Sequence, residues 1–421
     1  MSSTKYHVGR GPLLATSVSV LALGLLPFAD ARADDRLDQL QRQVDSLQKE
    51  LERVGKRTDP GGVKTPKQRA EAQEKLPYLT ESGGNKVNLA LSAQVNRGVL
   101  VTEDGEDTDV FFVDNDNSST RIKLAGDTRF NKDISAGALI EVQFESNSTA
   151  DVSQDNQRNA GANNFTERKL EVFAKSKTYG KLTLGQGDTS SNNSSEVDLS
   201  GTAVVGYSSV ADFAGGIQFQ EDGDLSGVSI GDTFSNLDGL SRDDRIRYDT
   251  RSFGGVTLSA SVIADDRFDL ALSYSEKKLL GVHEFAAAIA YADVDDEFDQ
   301  VSGSASLLLG DIVKGANFTI AAGSQDSDVG GENTASFVYG KIGYQFSPFS
   351  FGMTSLAVDY YYGEDIDQDG DESTSIGVVA VQEVKRIGTE LYAGLRNFEL
   401  DRDGEDFDDI DGLLVGARVK F

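Results

Sequence analysis

The chain has 421 residues, no cysteine, two histidines and a formal net charge of −29. Without cysteine there are no disulfides, thiolate metal sites or thiol nucleophiles, and an acid excess this large argues against nucleic-acid binding, which needs clustered positive charge. Only His7 and His283 carry an imidazole, a poor basis for a His-rich zinc site or a Ser-His-Asp hydrolase, so neither catalysis nor a cofactor is expected.

The amino-terminal stretch MSSTKYHVGR carries Lys5 and Arg10, Leu13 to Phe28 is apolar, and Ala31-Arg32-Ala33 is a small-x-small sequence. This predicts a secretory signal peptide over residues 1–33. No later run is long enough to cross a bilayer as a helix. The processed chain is therefore either exported and soluble or embedded in a membrane as strands.

From Asp34 to Arg57, Leu37, Leu40, Val44, Leu47, Leu51 and Val54 follow one another in alternating steps of three and four. That is the seam of a coiled coil, too short to associate alone. It predicts a periplasmic coiled-coil helix that joins copies of the chain, three being favoured although Leu and Val do not dictate the number. The alternative is one amphipathic helix packed on its own barrel. Residues 58–86 hold three of the six prolines and read as a linker.

From Val87 onward one pattern recurs. VNLALSAQV sets Val87, Leu89, Leu91, Ala93 and Val95 on one face and Asn88, Ser92 and Gln94 on the other. RIKLAGDTRF, AGALIEVQF, KLEVFAK, RIRYDT, FDLALSYS, SFVYGKIGYQF, ELYAGLRNF and the closing LLVGARVKF repeat the alternation. About sixteen such segments fit tilted bilayer-crossing strands of roughly ten residues. Their connections fall into two sets: short turns such as NKD, KTYG, SPFS and KRIG, and long acidic loops such as TEDGEDTDVFFVDNDN, DVDDEFDQ, GEDIDQDGDE and DRDGEDFDD. The predicted fold is all-β, a transmembrane antiparallel β-barrel over 87–421 following the short coiled-coil helix. A soluble sandwich gives no reason for the two sets of connections. Tyr274, Phe346, Phe349, Tyr360, Tyr362 and Phe398 would suit the aromatic girdles at the two membrane interfaces.

Three stretches resemble the Gram-negative general porins: NSSTRIKLAGDTRFNKDISAGALIEVQFE, ERKLEVFAKSKTYGKLTLGQGD, and the terminal strand ending in Phe421. The resemblance implies a sixteen-stranded trimeric channel in the outer membrane, a third loop folded into each pore, and Phe421 as the carboxy-terminal signal read by the barrel-insertion machinery. The other implied partners are outer-membrane lipid, further copies of the chain and small hydrophilic solutes. The loop would be residues 187–243, with Asp188, Glu196, Asp198, Asp212, Glu221 and Asp222 as its acids; a solvated surface loop is the alternative.

Strand parity places Arg121, Lys123 and Arg129 in one inward row, Lys169 in a second, and Arg245 and Arg247 in a third, with Arg168 near a rim where parity is open by one residue. A basic wall facing an acidic loop would orient polar solutes across the pore. The net charge predicts a preference for cations, weakened by salt. In DIDQDGDE, Asp365 to Glu372, a calcium loop begins, but its twelfth position is Ile376 instead of a carboxylate, so no metal site is assigned. A channel selective for organic acids and a structural tether are the rival functions.

Overall fold

The computed structural model describes residues 78–81, 87–159, 164–279, 283–311, 314–328 and 330–421. The signal-peptide stretch, the seam from Leu37 to Val54 and most of the linker lie outside the described residues. Twenty strands follow in chain order. The first are β1 (Tyr78–Glu81), β2 (Val87–Glu103), β3 (Thr108–Asp114), β4 (Arg121–Arg129), β5 (Ile134–Phe144), β6 (Phe165–Ser176) and β7 (Gly180–Asp188). Next come β8 (Gln218–Glu221), β9 (Asp224–Ser229), β10 (Arg242–Asp249), β11 (Val256–Ile263), β12 (Arg267–Leu279), β13 (His283–Val294) and β14 (Phe298–Asp311). The last are β15 (Lys314–Ser327), β16 (Ala335–Phe349), β17 (Gly352–Glu364), β18 (Glu372–Val384), β19 (Thr389–Asp401) and β20 (Ile410–Lys420).

Sixteen of them close a ring of antiparallel neighbours. The order runs from β2 through β4, β5, β6 and β7 to β10, then in sequence to β20, which returns to β2 in the register Lys420↔Gln94 to Asp411↔Glu103. Beyond β20, Phe421 exchanges both backbone hydrogen bonds with Ala93, at 2.9 and 2.7 Å. A ring without a free edge satisfies every strand from within, the condition for a sheet in hydrocarbon.

Each strand sorts its side chains in the reverse of a soluble protein. On β19, Leu391 and Leu395 point outward at 48% and 57% exposure, while Tyr392 and Arg396 point inward and are buried. On β16, Val338 and Ile342 are outside and Tyr339 and Lys341 inside. The outer face is thus an apolar belt that water would not tolerate at this size.

Four expectations change. Phe398 is wholly buried inside the barrel rather than in a girdle, because it shares the inward row of Tyr392 and Arg396. The stretch 102–117 is not a long loop: after the turn Asp104–Asp107, β3 folds back on β2, with Val110 and Phe112 outward and Phe111 and Val113 inward. DVDDEFDQ likewise shrinks to the turn Asp295–Glu297 between paired β13 and β14. Within the linker, β1 pairs with the foot of β2, Tyr78 opposite Ala90.

Residues 189–241, between β7 and β10, run inside the barrel along its wall. Val197 and Leu199 donate their backbone N–H groups to Ser304 and Ser306 Oγ, both at 2.9 Å, and Ser194 Oγ meets Ser302 Oγ at 3.0 Å. Alternate serines on β14 therefore receive the loop as a neighbouring strand would. Farther on, Phe213, Phe219, Ile217, Ile230 and Phe234 form an apolar core with Phe337, Tyr361 and Phe398 of the wall. Phe213 fits beside two glycines: a Cβ on Gly394 or Gly412 would lie 2.8 or 2.9 Å from its ring. The β8–β9 hairpin extends this core toward the loop end of the barrel, where Phe219 packs on Phe407 with ring centroids 5.8 Å apart.

Candidate functional site

The inward loop leaves a polar cavity of about 500 Å³ between itself and the β4–β6 wall. The 3-10 turn Asp116–Ser118 forms its upper side: Asn115 donates to the Val204 carbonyl (2.7 Å) and Asn117 to the Asp212 carbonyl (3.2 Å), tying the turn to the loop. Arg121, Arg168 and Arg242 line it together with Asp116, Glu196, Asp212 and Asp238, and Asn192, Asn236 and Tyr207 complete the lining.

Of the bases assigned from parity, Arg121 and Arg168 line this cavity. Arg168 reaches inward because a bulge in β6 inserts it opposite the step from Glu141 to Val142; it pairs with Glu141 at 3.0 Å while its neighbour Lys169, also inward, pairs with Asp188. The other bases lie below or beside the cavity. Arg245 is buried against Glu171 at 2.5 Å, and Arg247 holds Asp249 at 2.8 Å and the Thr189 carbonyl at 2.6 Å. Lys123 stands opposite Glu141 in register, and Arg129 lies exposed at the turn end of β4.

Of the loop acids, Glu196 and Asp212 face the cavity. Asp188 closes β7 and belongs to Lys169, Asp198 is buried against Lys341, and Glu221 and Asp222 cap the β8–β9 hairpin away from the cavity. Sequence reasoning missed Asp116, Asp238 and Arg242. Asp116 sits in a stretch taken for an outer loop, and the other two come from SNLDGLSRDD, where no period assigns a direction.

The acids and the bases of the cavity differ in how they are satisfied. Asp212 accepts from Tyr207 Oη and Ser209 Oγ, Glu196 from Asn236 (3.1 Å), and Asp238 from the backbone N–H groups of Asn193 and Ser195 (2.6 and 2.9 Å). Burial, reinforced by Asp238, raises the Glu196 carboxyl to about 8. Burial, reinforced by Asp116, raises Asp212 to about 8. Burial raises Asp238 to about 7 against the pull of its two N–H donors. By contrast, among the described residues, Arg121 donates only to Ser118 Oγ (3.1 Å), and neither Arg121 nor Arg242 has a carboxylate within ion-pair distance. At neutral pH Glu196 and Asp212 therefore largely hold their protons, and Asp238 holds about half of its own.

In DIDQDGDE two of the acids pair with a protein cation. Arg402 grips Asp371 with two bonds of 2.6 Å and Asp367 with one of 2.8 Å, while Asp365 accepts from the Gly370 N–H.

A family model described as Gram-negative porin matches residues 69–403. The fold is similar to that of an anion-selective porin from Comamonas acidovorans, at 16% identity and a TM-score of 0.53, covering 80% of this chain and 100% of that one. It is also similar to the trimer form of OmpT from Vibrio cholerae (11%, TM-score 0.52, 80% and 99% covered) and to Salmonella typhi OmpF in complex with daunomycin (14%, 0.50, 79% and 98%). Comparison with curated protein sequences gives no match. With a ring of sixteen strands, an apolar exterior, a polar interior narrowed by a loop, and a family match over most of its length, the chain belongs to the Gram-negative porins.

Proposed function

We propose that the protein is a water-filled outer-membrane channel through which small hydrophilic solutes diffuse passively, and that near neutral pH it favours anions. The observation that carries this reading is the inverted barrel whose inward loop leaves a cavity lined by Arg121 and Arg242, guanidinium groups with no carboxylate within ion-pair distance among the described residues. Fixed positive charge in a narrow, low-dielectric passage raises the local concentration of anions. The cation preference expected from the net charge finds no support on this wall. The acids that dominate the composition cluster in the outer connections, where salt screens them.

Single-channel recording in planar bilayers tests the proposal. Stable ohmic steps are expected, with a reversal potential in a salt gradient on the anion side at pH 7. A silent bilayer would favour the tether, and a cation-side reversal potential would return the choice to the outer acids. Self-association through the heptad segment and insertion signalled by Phe421 belong to the same proposal. Deleting residues 34–57 should weaken assembly while leaving each channel open.

A further inference from the structure

Lys341 points inward from the middle of β16, and its side chain is wholly buried. Its ammonium donates to Asp198 Oδ2 (2.7 Å), Ser200 Oγ (3.3 Å), Thr202 Oγ1 (3.0 Å) and the Gly206 carbonyl (2.6 Å). All four acceptors belong to one turn of the inward loop, the turn whose next residues, Tyr207, Ser209 and Asp212, line the cavity. The loop's entry is held separately: Asp269 on β12 accepts from the backbone N–H of Ser190 and Ser191 and from Ser191 Oγ, at 3.1, 2.8 and 2.6 Å. The second buried ion pair nearby, Arg396 with Asp359 at 2.6 Å, joins two wall strands and meets the turn only by packing.

We propose that Lys341 is the positioning residue that sets the aperture of the channel, by latching the turn 198–206 to the wall opposite the arginines. Neutral hydroxyls along β14 line up the preceding segment, but the latch is the one ion pair between this turn and the barrel among the described residues. A buried ammonium whose three N–H groups are all taken up by acceptors of one turn is held in one place by charge-assisted bonds, stronger than the neutral hydroxyl contacts along β14. Releasing it frees Tyr207 and Asp212 to move relative to Arg121 and Arg242, so the opening fluctuates instead of holding one width.

This inference rests on the diffusion-channel reading, and the experiment separates the two. Lys341→Met, Asp198→Asn and the double variant are compared with the unaltered protein in planar bilayers, with heat-modifiable gel mobility confirming a folded barrel. The unaltered channel should show one open level. Each variant should show several sublevels and noisier current, in the same sense for both single substitutions. A mere change of lumen charge would instead shift the reversal potential in opposite directions for Lys341→Met and Asp198→Asn, and that result would overturn the latch. The double variant leaves no stranded charge, so it tests the idea if a single variant fails to fold; a folded double variant with one unchanged level refutes it. No conductance in the unaltered protein would fail the channel reading itself.

Discussion

At the scale of residues, the cavity shows how the same charges act differently according to their partners. Arg245 and Lys169 are consumed by Glu171 and Asp188, whereas Arg121 and Arg242 remain available to a solute. Raised carboxyl pKa values give the sign of the pH response. Glu196, Asp212 and Asp238 bind more protons in the folded than in the unfolded chain between the ordinary carboxylate range and pH 7–8. Their contribution to stability is full below that range and declines as pH rises through the folded values. The same ionisation puts negative charge opposite the arginines, so the anion preference measured by reversal potential should fall between pH 6 and 9. Glu196→Gln with Asp212→Asn should flatten that slope. Arg121→Ala with Arg242→Ala should move the pH 7 reversal potential toward the cation side while leaving the fold intact. Parity made Arg121 legible in the sequence; Arg168 could be named but its direction stayed open by one residue, because a bulge cannot be placed from alternation alone.

At the scale of elements, the alternation in VSGSASLLL marks more than a strand. Its inward Ser302, Ser304 and Ser306 are too small to fill a lumen, and they bind a chain segment laid over them. Replacing Ser304 and Ser306 with valine would leave the Val197 and Leu199 N–H groups unsatisfied, at about 1–3 kcal/mol each. The temperature at which the compact gel form is lost should drop accordingly. Phe213→Ala opens a void among Gly394, Gly412 and Phe398 and should cost about 3–5 kcal/mol, read by the same gel shift. The burial of Phe398 was also within reach of the sequence: it falls in one period-two row with Tyr392 and Arg396, and an arginine in that row already pointed inward. β3 escaped notice because its acidic flanks suggested a loop, although DVFFV carries its own alternation.

At the scale of the whole molecule, the strands were legible because a membrane imposes one rule on every one of them, apolar outside and polar inside. The path of residues 189–241 was not, since a segment with no period is steered by contacts scattered from β11 to β18. The belt itself makes a prediction. Leu395→Lys places a charge on the outer face, beside Leu413 of the next strand, and should cost about 2–4 kcal/mol near the bilayer midplane. The fraction inserted into liposomes should fall, whereas Ser375→Lys, on the inner face, should fail through crowding in the packed interior and not through contact with lipid.

The loop's lodging on one flank divides the circumference into two arcs of different character. From β11 to β19 the inner surface is upholstered by the chain's own backbone, and Lys341 and Arg396 are sealed beneath it. The remaining arc is barer, and Arg121, Lys123, Arg247 and Arg418 stay partly exposed there. The polar cavity therefore lies off centre, against the barer arc. Its electrical character can drift by exchange of a few side chains on the bare arc, while the upholstered arc keeps the gauge.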